Sequence, residues 1–178
     1  MSAIILAALA LPSSDPLVSG LDPGQRPGPY SSVVSVGPER GKSHCFICET
    51  ADRPAVIVFA RRPSPALAAL VRGIDRELLA HKALDLRAWV TFLSDDQPEL
   101  DPQLVKWSQD EAIRTVSLTV FEDVGGPPTY RLHRDADVTV LLSIRQKVVQ
   151  RFAFRAGELT EKRTSAVLKG IAALTNAK

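Results

Sequence analysis

Two cysteines, three histidines and the single Met1 are all that this chain of 178 residues carries of the side chains that ligate soft metals or act as redox thiols. No second Cys-X-X-Cys and no His-X-X-X-His is present, so the sequence offers no ready fourth ligand for a tetrahedral zinc. No apolar run approaches the roughly 20 residues that span a bilayer, which excludes an integral membrane protein from the mature chain. Charge of one sign is missing too. Twenty-two Lys and Arg stand against 20 Asp and Glu, net +2, with the basic residues scattered, so no nucleic-acid footprint is drawn. Glycine motifs are equally scarce: Gly125-Gly126-Pro127-Pro128 matches neither a dinucleotide nor a Walker fingerprint and reads as a turn. Ser64 lacks the Gly-X-Ser-X-Gly elbow, and its Pro-Ser-Pro setting reads as a helix cap. No internal repeat is visible.

What is present begins with MSAIILAALALP, a short apolar core followed by Pro12, Ser13 and Ser14. This is the outline of an export signal, without a basic start or a small-X-small cleavage site. Export or a periplasmic location is therefore expected, with an uncleaved tail on a cytoplasmic protein as the alternative. The compartment matters for the cysteines, which oxidise outside the cytoplasm and stay reduced within it. Residues 12–30 are rich in Pro, Gly, Ser and Asp and read as an extended lead-in. The expected division is 1–27 for the apolar N-terminus and lead-in, and 28–178 for one domain large enough to fold on its own core.

Within the domain, Ser31 to Val36, the turn material Gly37 to Lys42 and the cysteines suggest an initial hairpin with the dithiol on or beside its second strand. Ala55 to Ala60 (AVIVFA) is a continuous apolar run, as in a strand buried on both faces. Ser64-Pro65 opens a helix carrying Leu67, Leu70, Val71, Ile74, Leu78 and Leu79 at three- and four-residue spacings. Leu86 to Leu93 is the next strand, Asp101-Pro102 starts a helix through Leu104, Trp107 and Ile113, and Val116 to Phe121 is a third strand. Val138 to Ser143 and Val148 to Phe154 form a hairpin turned at Arg145-Gln146-Lys147, and Thr164 to Leu174 is a closing helix. Trp89, Trp107 and Phe121 fall on apolar faces as core. The order is hairpin, β-α-β-α-β, then β-β-α, which implies an α/β protein with a mostly parallel sheet in a three-layer α/β/α sandwich.

This order, from about Gly28 onward, resembles the thioredoxin-like domains of the peroxiredoxin and cytochrome-maturation branch. The stretches GKSHCFICETADRPAVIVFAR, LTVFED, GPPTYRL and DADVTVLL also resemble a bacterial, planctomycete-type group of thioredoxin-like proteins of undefined function. The resemblance implies a thioredoxin-like sandwich with an added N-terminal β-hairpin. It also implies a nucleophilic cysteine after the first core strand and a cis-proline before the strand at Val138. This chain has Arg61-Arg62-Pro63-Ser64-Pro65 at the first place and Asp137-Val138-Thr139 at the second. Pro127-Pro128, some ten residues earlier, does not replace that proline.

The sole dithiol is Cys45-Phe46-Ile47-Cys48, placed before the first core strand and read as leading into a strand, not a helix. Lys42, His44 and Arg53 are then the local sources of positive potential that would lower a thiol pKa. As a redox pair, Cys45 is expected to be the attacking, more exposed thiol, Cys48 the resolving one and His44 a proton acceptor. The corresponding activity is thiol-disulfide oxidoreductase, with a protein thiol or disulfide as partner and no cofactor. The alternative is a non-catalytic binding module, its dithiol structural or holding copper(I) or zinc through His44, Cys45 and Cys48. His81 or His133 would have to fold close to complete such a site. Arg61 and Arg62, at the carboxyl end of the first core strand, are candidates for receiving an anion. The acidic run Asp95, Asp96, Glu99 and Asp101 reads as a polar loop capping the next helix through Asp101.

Overall fold

The computed structural model describes residues 16–176; the apolar segment read as an export signal lies outside the described residues. Seven strands form one mixed sheet: β1 (Ser32–Val36), β2 (Ser43–His44), β3 (Ala55–Ala60), β4 (Arg87–Leu93), β5 (Ser117–Phe121), β6 (Val138–Ile144) and β7 (Lys147–Phe154). Their spatial order is β2-β1-β5-β4-β3-β6-β7. The three central strands β3, β4 and β5 are parallel, while β6, β7, β1 and β2 add antiparallel pairs at the two sides. Four α-helices accompany them: α1 (Phe46–Thr50), α2 (Pro65–Ala80), α3 (Gln97–Asp110) and α4 (Glu161–Asn176).

The alternation within β3 shows how the sheet separates two cores. Val56, Val58 and Ala60 pack with Leu67, Leu70 and Val71 of α2, Leu104 of α3 and Val167 and Ile171 of α4. Ala55, Ile57 and Phe59 face the other way, onto Leu21, Trp89, Tyr130, Leu141 and Val148, with Tyr30, Phe46 and Ile47 packed against them. The three long helices therefore share one face, and the third layer is made of α1, the lead-in and the 3₁₀ turn Pro128–Tyr130. The lead-in is tied down by backbone bonds, Gly24 N–H to Val148 O at 2.7 Å and Val148 N–H to Gln25 O at 2.9 Å.

Sequence patterning locates most elements, and its misses have local causes. Ser64 caps α2 as expected, its Oγ accepting from Leu67 N–H at 3.2 Å. The next helix starts at Gln97, not at Asp101: Asp96 is the cap, its Oδ1 accepting from Glu99 N–H at 3.0 Å. Pro98 holds the first-turn position that Pro102 was expected to fill, and Pro102 lies inside the helix. Asp101 instead pairs with Arg40 at 2.9 Å, fastening the β1-β2 turn to α3. In that turn Gly37 has φ +135°, and a Cβ there would sit 2.6 Å from Ser117 Oγ, so only glycine fits. The β6-β7 turn places Arg145 and Gln146 at φ of 51° and 59°, a left-handed pair usually given to Asn or Gly.

Candidate functional site

The dithiol does open a helix, contrary to the sequence reading. Strand β2 ends at His44, Cys45 takes an extended conformation (φ −108°, ψ 91°), and α1 follows for five residues before the chain turns into β3. Cys45 Sγ serves as the N-cap atom, accepting from Cys48 N–H at 3.2 Å. Sequence pattern missed α1 because one helical turn carries no periodicity to detect. Only the structure reveals the turn, through the Cys45 cap and the Thr50 hydroxyl, which donates back to Phe46 O at 2.7 Å.

The two sulfurs are joined in a disulfide with Cα atoms 5.4 Å apart. Their exposure reverses the expected order: Cys48 is exposed and Cys45 half-buried. Packing explains this, since Phe46, next to Cys45, stacks on Trp89 with centroids 5.3 Å apart and planes 16° from parallel. That contact draws the start of α1 down onto the sheet and leaves its free side, with Cys48, outward. His44 adjoins Cys45 in sequence, but its Nε2 lies 3.0 Å from Glu49 Oε2 and its ring meets Phe46 edge-on at 4.4 Å. Arg53 donates to Asp85 at 2.7 Å and to Thr50 O at 2.9 Å, so it secures the exit of α1. Lys42 pairs with Glu39 at 3.0 Å, and that ammonium holds the Glu39 carboxyl below its ordinary pKa.

Beneath α1 lies a buried polar chain. Trp89 Nε1–H donates to Tyr30 Oη at 2.8 Å, and Tyr30 Oη lies 2.8 Å from Thr91 Oγ1. Burial pushes the Tyr30 phenol up to about 12 from its ordinary value near 10, against the smaller lowering effects of Thr91 and Trp89. Tyr130 is pushed up as well, first by burial and then by Tyr30, and its hydroxyl donates to Gly28 O at 2.7 Å.

Two cavities of about 430 Å³ each flank α1. One is bounded by His44, Phe46, Glu49, Arg87 and Trp89 at the amino ends of β4 and β5. The other runs between α1 and the lead-in, with Cys48, Ile47 and Ala51 on one wall and Arg26, Pro27 and Pro29 on the other.

Arg61 and Arg62 are not part of this cluster. They follow the carboxyl end of β3, whereas the disulfide precedes its amino end, a separation of about 20 Å along a six-residue strand. Arg61 spreads its guanidinium over three carbonyls, Ala136 (2.9 Å), Val124 (2.8 Å) and His133 (3.2 Å). Arg62 pairs with Asp137 at 3.3 Å. His81 is engaged by Glu77 at 3.3 Å and His133 by Asp135 at 3.9 Å, and neither joins His44. Among the described residues no group of three or more His, Cys, Asp or Glu side chains is placed to hold a metal ion.

No family model and no curated protein sequence matches this chain. Solved structures do. A candidate DsbE-type thiol:disulfide interchange protein from Chlorobium tepidum superposes with a TM-score of 0.66 at 13% identity, over 87% of this chain and 99% of the other. The fold is thioredoxin-like. A secreted disulfide oxidoreductase of Mycobacterium tuberculosis, homologous to DsbE of E. coli, matches with a TM-score of 0.59 at 10% identity over 81% and 95% of the two chains. A yeast mitochondrial 1-Cys peroxiredoxin matches with 0.63 at 13% identity over 88% and 77%.

On this thioredoxin-like frame the corner after β3 carries Ser64 at the start of a 16-residue helix, and no cis peptide bond occurs among the described residues. The site implied by the resemblance is replaced there by structural bonds of Arg61 and Arg62. The helix remains, and with it the field that activates a thiol. Ser64→Cys is expected to give a thiol with its pKa lowered by about one unit or more from 8.5. The pH dependence of alkylation, measured with Cys45 and Cys48 kept oxidised, checks this; an ordinary thiol titration at position 64 would refute it.

Proposed function

We propose that the chain is an exported thiol-disulfide oxidoreductase whose redox couple is Cys45 and Cys48, acting on a protein thiol or disulfide. The observation that carries this reading is a formed disulfide with Cys48 exposed beside a cavity and the Cys45 sulfur capping a helical turn. The bridge spans a sequence separation of only three residues. A loop that short removes little chain entropy, so stabilising the fold is a weak use for it. The thioredoxin-like frame and its likeness to disulfide oxidoreductases support the same reading. His44 adjoins Cys45 in sequence, and with Nε2 engaged by Glu49 its Nδ1 is the ring nitrogen left to accept a proton.

The alternative, a non-catalytic module, draws on Arg61, Arg62 and Asp137, which fill the corner implied by the resemblance with structural bonds. Copper(I) or zinc held by His44, Cys45 and Cys48 would require reduction first, because both sulfurs are bonded to each other.

Equilibration in glutathione buffers, with mass-tagged counting of free thiols, separates the readings. A redox couple gives a potential of roughly −120 to −270 mV with fast exchange. A potential far below that window identifies a structural clip.

A further inference from the structure

Within the oxidoreductase reading, the geometry points to Cys48, not Cys45, as the sulfur attacked by the substrate, and to the groove between α1 and Arg26–Pro29 as the seat of an extended, acidic cysteine-containing polypeptide segment. Cys48 lines that groove and is exposed, whereas Cys45 is half-buried and does not line it. Attack on a disulfide is fastest at the accessible sulfur and when the departing sulfur is the better-stabilised thiolate. Cys45 meets the second condition, because the Cys48 N–H already points at its Sγ from 3.2 Å.

The step balances without a further reagent. A substrate thiolate bonds to Cys48 Sγ, the Cys45–Cys48 bond breaks, and its electron pair leaves on Cys45 Sγ. A second substrate thiolate then attacks the substrate sulfur of the mixed disulfide and expels Cys48 as thiolate. The substrate dithiol is oxidised to a disulfide, the Cys45-Cys48 pair is reduced by two electrons, and the two substrate protons pass to the new thiolates or to water.

The groove's chemistry selects the occupant. Its walls are mainly apolar, through Pro27, Pro29, Ile47 and Ala51, which suits side chains flanking a cysteine in an extended peptide. Its one ionised lining side chain is Arg26, which is hydrogen-bonded to the Gln146 side chain, whose amide in turn donates to Asp52 at 2.8 Å; among the described residues no carboxylate pairs with Arg26 directly. A positive charge so placed attracts a thiolate and an acidic neighbour.

The test uses the oxidised full chain and three reductants: a cysteine peptide flanked by leucine and glutamate, its counterpart with lysine for glutamate, and glutathione. Acid quenching and peptic cleavage after Phe46 at low pH, where protonated thiols do not exchange, separate the two cysteines and show which carries the peptide. The proposal expects the peptide on Cys48, and a rate for the acidic peptide about tenfold above that of the basic one. It also expects the acidic peptide to exceed glutathione, and Arg26→Glu to invert the acidic-to-basic ratio while the protein melts as wild type. Peptide on Cys45, glutathione matching the acidic peptide, or a ratio unmoved by Arg26→Glu overturns the groove assignment and leaves the oxidoreductase reading standing. A disulfide that exchanges with none of the three overturns both.

Discussion

Asp75→Ala is expected to lower stability by about 2–3 kcal/mol and the melting temperature by roughly 5–10 °C. Asp75 sits on α2 with its carboxylate buried, 7% exposed. Its Oδ1 accepts from the N–H groups of Thr115 and Val116, each at 2.9 Å, and its Oδ2 accepts from Arg114 N–H at 2.9 Å. The Thr115 hydroxyl donates to Oδ1 as well. Three backbone amides at the entry to β5 thus depend on one side chain. Removing it leaves the Val116 amide buried without an acceptor, while those of Arg114 and Thr115, which are exposed residues, must turn to water. Asp75→Asn should cost less, since one amide oxygen can still accept. Urea unfolding followed by circular dichroism measures both variants, and a loss below about 1 kcal/mol for Asp75→Ala would mean that the loop relaxes to reach water.

Alkali should weaken the fold through Tyr30 and Tyr130 before any other group of the second core responds. The folded pKa of Tyr30 is raised to about 12, above the unfolded value near 10. The folded protein therefore holds the phenolic proton where the unfolded chain has lost it. The associated stability is fully present below about pH 10 and is lost as pH rises toward 12, amounting to about 3 kcal/mol for a shift of this size. Tyr130, raised for the same reason, adds a loss of the same sign. Tyr30→Phe should flatten the decline between pH 10 and 12. It should also cost about 1–2 kcal/mol at neutral pH, because Trp89 Nε1–H then lacks its acceptor. Chemical denaturation at pH 9 and pH 11.5 makes the comparison, and equal slopes for variant and wild type would remove Tyr30 from the account.

Both effects arise from side chains that the sequence does not single out. Asp75 reads as a polar position on an amphipathic helix, and the amides that it meets are 39 to 41 residues away. Tyr30 ends a Pro- and Gly-rich stretch that reads as a lead-in, yet its hydroxyl reaches Trp89 in β4. The α3 boundary failed for a different reason: two prolines and four acidic residues within a few positions offer more than one competent start, and local chemistry does not rank them.

The sequence by itself determined the order of strands and long helices, the hairpin ahead of them and the departure from the nucleophile and cis-proline positions implied by the resemblance. These follow from periodicity, caps and residue identity, all of which act over a few neighbouring positions. Tertiary structure alone decided that all three long helices share one face and that the lead-in covers the other. It also decided that the disulfide lies a strand length away from Arg61 and that Cys48 is the more exposed cysteine. Each of these depends on which distant residues meet: Trp89 drawing Phe46 inward, Val148 bonding the lead-in, Asp137 taking Arg62. Such pairings are settled by packing across the sheet, and no local pattern along the chain encodes them.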